Sequence, residues 1–318
     1  MGIYRKFRAL ALTAAAAVSV AAVPVWAESS AEPLVLEPNS EWEVAFTGDR
    51  CVLARTFGSG ADEVSLKFVQ REPGHKFGAQ LYGAPLALAT KPETLTYQWT
   101  PDTHLRSSHS ARSGTIRETI PALLFSGTFA EAIEAEDADD LPKTVILKPG
   151  ESRGPVPTDM PPVFGEPRKT EISATTIAGA LARPLTLKLE TTKSAFAELK
   201  DCQSKMVAAW GLDASALGNV AQRAKPKNPS MWVTSRDIPK VILQRRITQK
   251  TVVKFRLSIS ANGTVDRCTT IEESPEALLN ELTCELVAKR ARFEPALDKD
   301  GEPAADFYIS SVRWQTPR

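Results

Sequence analysis

The sequence predicts an α+β chain: a β-rich region closed by a helix, followed by a small helix-strand-strand-helix-strand unit. Three observations predict it. Short apolar–polar runs between residues 42 and 82 are separated by Gly, Asp and Pro turn signals, as in antiparallel sheet. The segment 191–213 switches to helical spacing, with Phe196, Leu199, Met206 and Trp210 on roughly one face. After a polar stretch, residues 232–314 run through helix and strand periods in a fixed order.

Taken in order, the chain begins with a leader. Arg5, Lys6 and Arg8 precede an apolar run, 9–25, interrupted only by Thr13, Ser19 and Pro24. Val25-Trp26-Ala27 places small residues at −3 and −1 before Glu28. That layout is a secretory signal peptide, residues 1–27, which puts the remaining chain in the periplasm. The alternative is an uncleaved helix that anchors the chain to the inner membrane on its periplasmic side; the run is short for a span and its core is mostly alanine. The whole chain holds 39 Lys+Arg and 38 Asp+Glu. The leader carries three of the basic residues, so the balance without it is 36 − 38 = −2. A near-neutral chain has no electrostatic case for nucleic acid.

The β-rich region, 28–218, contains "WEVAF", "RCVLARTF", "EVSLKFVQRE" and "KFGAQLYG", then "TLTYQW", "IPALLF" and "KTVILK" less cleanly. The acidic run 131–140 is read as a helical turn or a solvated loop. Seven prolines in 142–168 exclude interior strands and helices over most of that length. "PLTLKLE" is again a strand. The helix that follows is capped at its start by Thr191, Thr192 or Ser194 and ended by Gly211. "AQRAKPKNPS" is polar, basic and proline-containing, so 219–231 reads as a linker between two domains.

The last domain, 232–318, opens with a short helix in "DIPKVILQRR". In "TVVKFRLSIS", Val253, Phe255, Leu257 and Ile259 point one way and Val252, Lys254, Arg256 and Ser258 the other. Asn262-Gly263 supplies the turn to "TVDRCTTIEES". A helix from Pro275 through Arg292 follows, with Leu279, Leu282 and Leu286 inward and Val287 at the stripe's edge. Phe293, Asp300-Gly301 and a final strand over 306–314 complete a three-stranded sheet with the long helix across it. In that strand Tyr308, Val312 and Trp314 share one parity and Phe307 and Ile309 the other, with a bulge at Ser310-Ser311 as the device that changes phase.

Four cysteines, Cys51, Cys202, Cys268 and Cys284, make two disulfides the natural reading for a secreted chain. Three pairings exist. Cys51–Cys202 is favoured because it would pin the helix to the sheet. Cys268–Cys284 is compatible with helix geometry without being forced by it. With three histidines and no Cys-x-x-Cys, neither a zinc site nor another cofactor is expected.

Enzyme chemistry finds little support. "HLRSSHSARSG" sets Ser110 beside His109 and near His104, but a hydrolase needs a base oriented by a third group, and no Gly-x-Ser-x-Gly is present. The segment reads as a solvated polar loop, and a hydrolase in the N-terminal domain is the outlying alternative. The 131–140 run lacks the Gly and carboxylate spacing of a calcium loop. Trp42, Trp99 and Trp210 read as core residues.

One string is more specific. Ile238-Pro239, "VVKFRLSI", Asn262-Gly263-Thr264-Val265, the helix, then Phe293-Glu294-Pro295-Ala296, Gly301 and "SVRW" resemble the C-terminal domain of the TonB family over about the last 85 residues. The paired Cys268 and Cys284 resemble a disulfide-containing subgroup. Ile238 stands where the family has tyrosine, and Lys250 or Thr251 where it has a glycine before the first strand. The resemblance implies a non-catalytic module that accepts an extended peptide at its last strand. The binding edge would comprise Phe307, Tyr308, Ile309, Val312 and Trp314, and the partner an envelope protein or peptide such as an outer-membrane transporter. If the leader were retained, the same resemblance would imply an inner-membrane energy transducer for transport across the outer membrane.

Overall fold

A computed structural model of the protein describes residues 32–102, 104–130, 171–190, 192–244 and 251–314. The leader, the acidic run 131–140, the "KTVILK" segment and the proline-rich stretch lie outside the described residues. The described residues from Pro33 onward form one compact unit.

The unit opens with β1 (Leu34–Leu36), β2 (Glu43–Phe46), β3 (Cys51–Phe57), β4 (Val64–Gln70), β5 (Lys76–Tyr82), β6 (Thr96–Thr100), β7 (Leu105–Ser107), β8 (Arg112–Ile116), β9 (Ile120–Thr128), β10 (Ala174–Ala178) and β11 (Leu185–Lys188). They build two sheets: six strands in the order β2-β3-β4-β5-β9-β8, and five in the order β1-β11-β10-β6-β7. All neighbours are antiparallel except β1 with β11. Alternation decides the inner face: in β3, Cys51, Leu53, Arg55 and Phe57 are buried and the residues between them half-buried. An aromatic cluster joins the two sheets. Phe77 lies 6.3 Å from Tyr97 and 5.8 Å from Trp99, and Phe68 lies 6.1 Å from Trp99. The polar atoms it brings inside are paired: Trp99 donates to the Thr128 carbonyl at 3.0 Å, and the Tyr97 hydroxyl accepts from the Thr128 amide at 3.0 Å. Arg55, on a core position, donates to the carbonyls of Ser40 and Leu189 and lies over Trp42.

The "HLRSSHSARSG" segment departs from the expected loop. It contributes β7 and enters β8, both edge strands with mostly exposed side chains. A strand exposed on both faces carries no hydrophobic alternation, so it leaves no period-two signal.

α1 (Thr192–Ala209) closes the sandwich against β2 and β3, burying Leu199, Cys202, Met206 and Val207. Each such aliphatic side chain removed from water contributes about 1.5–3 kcal/mol. Its first turn is held from a distance: the Glu171 carboxylate accepts from the amides of Thr192 and Lys193 at 2.9 and 3.1 Å. Gly211, at φ +79°, follows the helix. Cys51–Cys202 ties α1 to β3. Gln203 donates to Gln70 at 2.6 Å and to the Gly74 carbonyl at 3.2 Å, a second tie to the β4–β5 turn.

α2 (Ala214–Gly218) leads into the stretch expected as a linker. It pairs instead: β12 (Val220–Gln222) and β13 (Lys225–Lys227) lie along the later β17 and β16. Short polar strands of this kind are specified by their partners rather than by their own composition. After α3 (Lys240–Gln244) come β14 (Thr251–Ile259), β15 (Val265–Glu272), α4 (Ala277–Arg290), β16 (Arg292–Glu294), β17 (Ala296–Asp298), β18 (Pro303–Ala304) and β19 (Asp306–Trp314). β15, β14 and β19 form the three-stranded antiparallel sheet, in that order. α4 ends two residues earlier than the sequence reading, because Phe293 is drawn into pairing with Pro226. Leu279, Leu286 and Val287 are buried and Leu282 half-buried, and Cys268–Cys284 fastens the helix to β15.

The opposite face of this sheet is also covered. Arg256 and Ser258 are buried because Trp210, at the end of α1, lies on them: its ring is 4.0 Å from the Arg256 guanidinium and its carbonyl accepts from Ser258 at 3.3 Å. Phe307 meets the same ring at 5.3 Å. The main hydrophobic cluster runs without a break from Leu53 and Trp99 through Trp210 to Leu257 and Phe293.

The aromatic-x-Pro-Ala string and the Asn-Gly turn are one contact. Gly263, at φ +80°, has its carbonyl bound by the Phe293 amide at 3.0 Å. A Cβ at Gly263 would stand 2.4 Å from the Phe293 carbonyl oxygen.

Candidate functional site

β19 is an edge strand, and its start is locked. Asp306 is fully buried and accepts from Arg223 Nε, the Ala224 amide and the Phe307 amide at 2.7–2.9 Å. Arg223 Nη2 also donates to the Phe307 carbonyl at 2.9 Å, and its guanidinium covers the Phe307 ring at 4.6 Å. Both backbone groups of Phe307 are therefore satisfied from outside the β14 ladder.

That observation sets the phase of the strand. β14 and β19 pair without a register shift, from Thr251 opposite Trp314 to Ile259 opposite Asp306. The expected bulge at Ser310-Ser311 is absent; the irregularities lie in the β14–β15 pairing instead, between Lys254 and Phe255 and between Ser258 and Ile259. In an antiparallel ladder, alternate residues exchange both backbone bonds with one neighbour. Tyr308, Ser310 and Val312 face β14, whereas Ile309, Ser311 and Arg313 turn their N–H and C=O groups outward with Phe307. Among the described residues no hydrogen bond reaches those outward groups. Ser311 and Arg313 are exposed and Ile309 half-buried.

The side chains divide by face. Tyr308 packs on Phe293 at 5.3 Å and Trp232 at 5.9 Å. Trp314 donates from its indole to Thr283 Oγ1 at 2.9 Å and sits with Ile242, Val253, Leu279 and Leu286. With Phe307 and Trp314 buried, these two predicted edge residues hold the strand in place through their side chains. Ser311 and Arg313, which the sequence reading did not single out, are its exposed members. The signal for them is the two-residue step from Phe307, invisible until Phe307's direction is known.

Beside the open edge runs a groove of about 230 Å³, below the usual size of a small-molecule pocket. Pro229, Trp232, Val233, Phe255, Val287 and residues 310–313 line it.

The sequence's catalytic candidates do not assemble. The Ser110 hydroxyl lies 3.2 Å from that of Ser108 and accepts from the Ser126 amide at 3.2 Å. His104 and His109 are exposed, and no hydrogen bond links Ser110 to either among the described residues. Trp99 and Trp210 are buried and Trp42 half-buried, stacked on Phe68 at 6.4 Å. No group of three potential metal ligands occurs among the described residues. Nor is any helix there long and apolar enough to cross a membrane.

No curated protein matches the chain. The family comparison falls on the sheet, helix and edge strand just described: residues 243–315 match the family of the Gram-negative bacterial TonB protein C-terminal.

Proposed function

We propose that the protein is a periplasmic, non-catalytic binding module that takes an extended segment of an envelope protein as a fourth strand beside β19. The observation that carries this reading is the row of outward N–H and C=O groups at Ile309, Ser311 and Arg313, open beside a groove of mixed polar and apolar lining. Such an edge templates another strand: main-chain bonds supply affinity, and the groove selects alternate side chains. The family match supports an envelope role, and the leader motif supports export with cleavage after Ala27. An outer-membrane transporter is the partner class the family suggests.

The test uses extended peptides drawn from periplasm-facing segments of outer-membrane transporters, titrated against the protein. Each binder is remade with N-methyl groups on one alternating set of its amides, then on the other. Strand addition predicts that one set abolishes binding and the other is tolerated. Equal tolerance of both sets would exclude it.

A further inference from the structure

Two arginine pairs, Arg50 with Arg71 and Arg256 with Arg267, lie on the elements that meet where the sandwich joins the C-terminal sheet. Cys51 pairs with Gln70, so Arg50, just before β3, and Arg71, just after β4, are neighbours at one end of the six-stranded sheet. On the facing sheet, Ser258 pairs with Arg267, and the pairing is regular from Phe255 to Ser258, so Arg256 and Arg267 share the face that Trp210 covers. Trp210 ends α1, which Cys202 bolts to Cys51 beside Arg50. The two pairs feel a common charge. Burial pushes the Asp49 carboxyl up, but its hydrogen bonds from Arg50 and the charges of Arg50 and Arg71 hold it below its ordinary value. Burial lowers Arg256 to about 10, with Asp49 opposing that fall and Arg267 adding to it.

The charges here do not balance. Asp49 is committed to Arg50 through bonds of 2.7 and 2.8 Å, and Glu272, 3.7 Å from Lys254, also acts on Arg50. Arg71, Arg256 and Arg267 have no carboxylate partner among the described residues. Arg256 is only 5 % exposed, yet its Nε and Nη1 make no hydrogen bond, and neither does the buried Nε of Arg71. A buried guanidinium with unmade hydrogen bonds is costly, and stacking on Trp210 returns only part of that cost. Arg267 is exposed and Arg71 half-buried, so the patch above Arg256 opens to solvent.

We infer that this seam is a binding site for a phosphate-type oxyanion, held by Arg71 and Arg267 at the surface and by the field of Arg256 beneath them. Several guanidiniums from separate elements suit a tetrahedral dianion better than a single planar carboxylate. The phosphate is free or belongs to a lipid headgroup, and the two sources are separable.

The experiment measures melting temperature and calorimetric binding of the full chain in inorganic phosphate and in chloride at matched ionic strength. Phosphate is expected to raise the melting temperature. The double variant Arg71→Gln/Arg267→Gln, both at solvent-reaching positions, is expected to keep its melting temperature in chloride and to bind phosphate at least tenfold more weakly. Arg256→Met keeps the stem packing; it is expected to melt no lower in chloride and to lose the phosphate response. Co-sedimentation with phosphatidylcholine vesicles containing phosphatidic acid, absent with phosphatidylcholine alone and lost in the double variant, would assign a headgroup. A phosphate response without vesicle binding would assign the free ion. The inference is overturned if phosphate and chloride give the same melting temperature and no vesicle binds, or if the variants respond as the parent does.

Discussion

Proline at two adjacent positions of β19 should act in opposite ways. Ser310 lies opposite Phe255, with its N–H in the β14 ladder; Ser311 is opposite Lys254 with its N–H turned out. Ser310→Pro deletes a ladder bond and drives the ring against β14, at a cost of about 3 kcal/mol or more. Ser311→Pro removes a donor that no described residue uses, and Ser310 before it is already extended, so folding should change by less than about 1 kcal/mol. Binding reverses the order of severity. Ser311→Pro takes one bond of about 0.5–1.5 kcal/mol from an added strand and places a ring in its path. Together these predict a loss of affinity of about tenfold or more. Urea melts give the folding term, and peptide titration followed by tryptophan fluorescence gives the binding term, with Trp232 lining the groove. Equal destabilisation by the two prolines would show that the phase is wrong. Unchanged peptide affinity in Ser311→Pro would show that the edge is not used.

Other outcomes follow from the same structure. The disulfides span 151 and 16 residues, so chain entropy predicts about 5 kcal/mol lost on removing Cys51–Cys202 and about 3 kcal/mol on removing Cys268–Cys284; urea melts of the double-alanine variants that reverse this order would contradict it. Gly263→Ala combines a positive φ with a clash on the Phe293 carbonyl, and denaturation should show a loss of about 2–4 kcal/mol, whereas Gly301→Ala, with open space around it, should lose only about 1–2. The Arg290 hydrogen bonds hold the Asp237 carboxyl far below its ordinary range, assisted by the Thr234 amide and hydroxyl, against the upward push of burial. A folded pKa below the unfolded one stabilises above the unfolded value, near about 3.9, and that stability is lost as pH falls. Asp237→Asn should therefore melt below the parent at pH 7, with the gap closing in acid; a gap independent of pH would refute the assignment.

The C-terminal unit was the most legible part because its signals are contacts. The Asn262-Gly263 turn and Phe293 touch, so their spacing carries structure, and Val253, Phe255, Leu257 and Ile259 are all buried as their alternation predicts. The first sheet was legible wherever burial alternates along the strand, as in β3. What escaped was structure specified by distant partners. β12 and β13 are short and polar, and β10 carries no clean alternation between two buried neighbours. The Glu171 cap comes from outside its helix, where local N-cap rules do not look. The burial of Arg256 could not be read from β14 itself, because only the arrival of Trp210 covers that face. The candidate edge was legible as a strand but not in its phase, which hangs on Arg223 reaching the Phe307 carbonyl from a stretch that reads as a linker.

Residue-resolved amide exchange along β19, with and without a binding peptide, tests the central claim most directly. In the free protein Ile309, Ser311 and Arg313 should exchange quickly, and Tyr308, Ser310 and Val312 slowly. A bound peptide should slow the first set and leave the second as it was. Uniform protection in the free strand, or a bound peptide that leaves Ile309, Ser311 and Arg313 exchanging as before, would contradict strand addition at this edge.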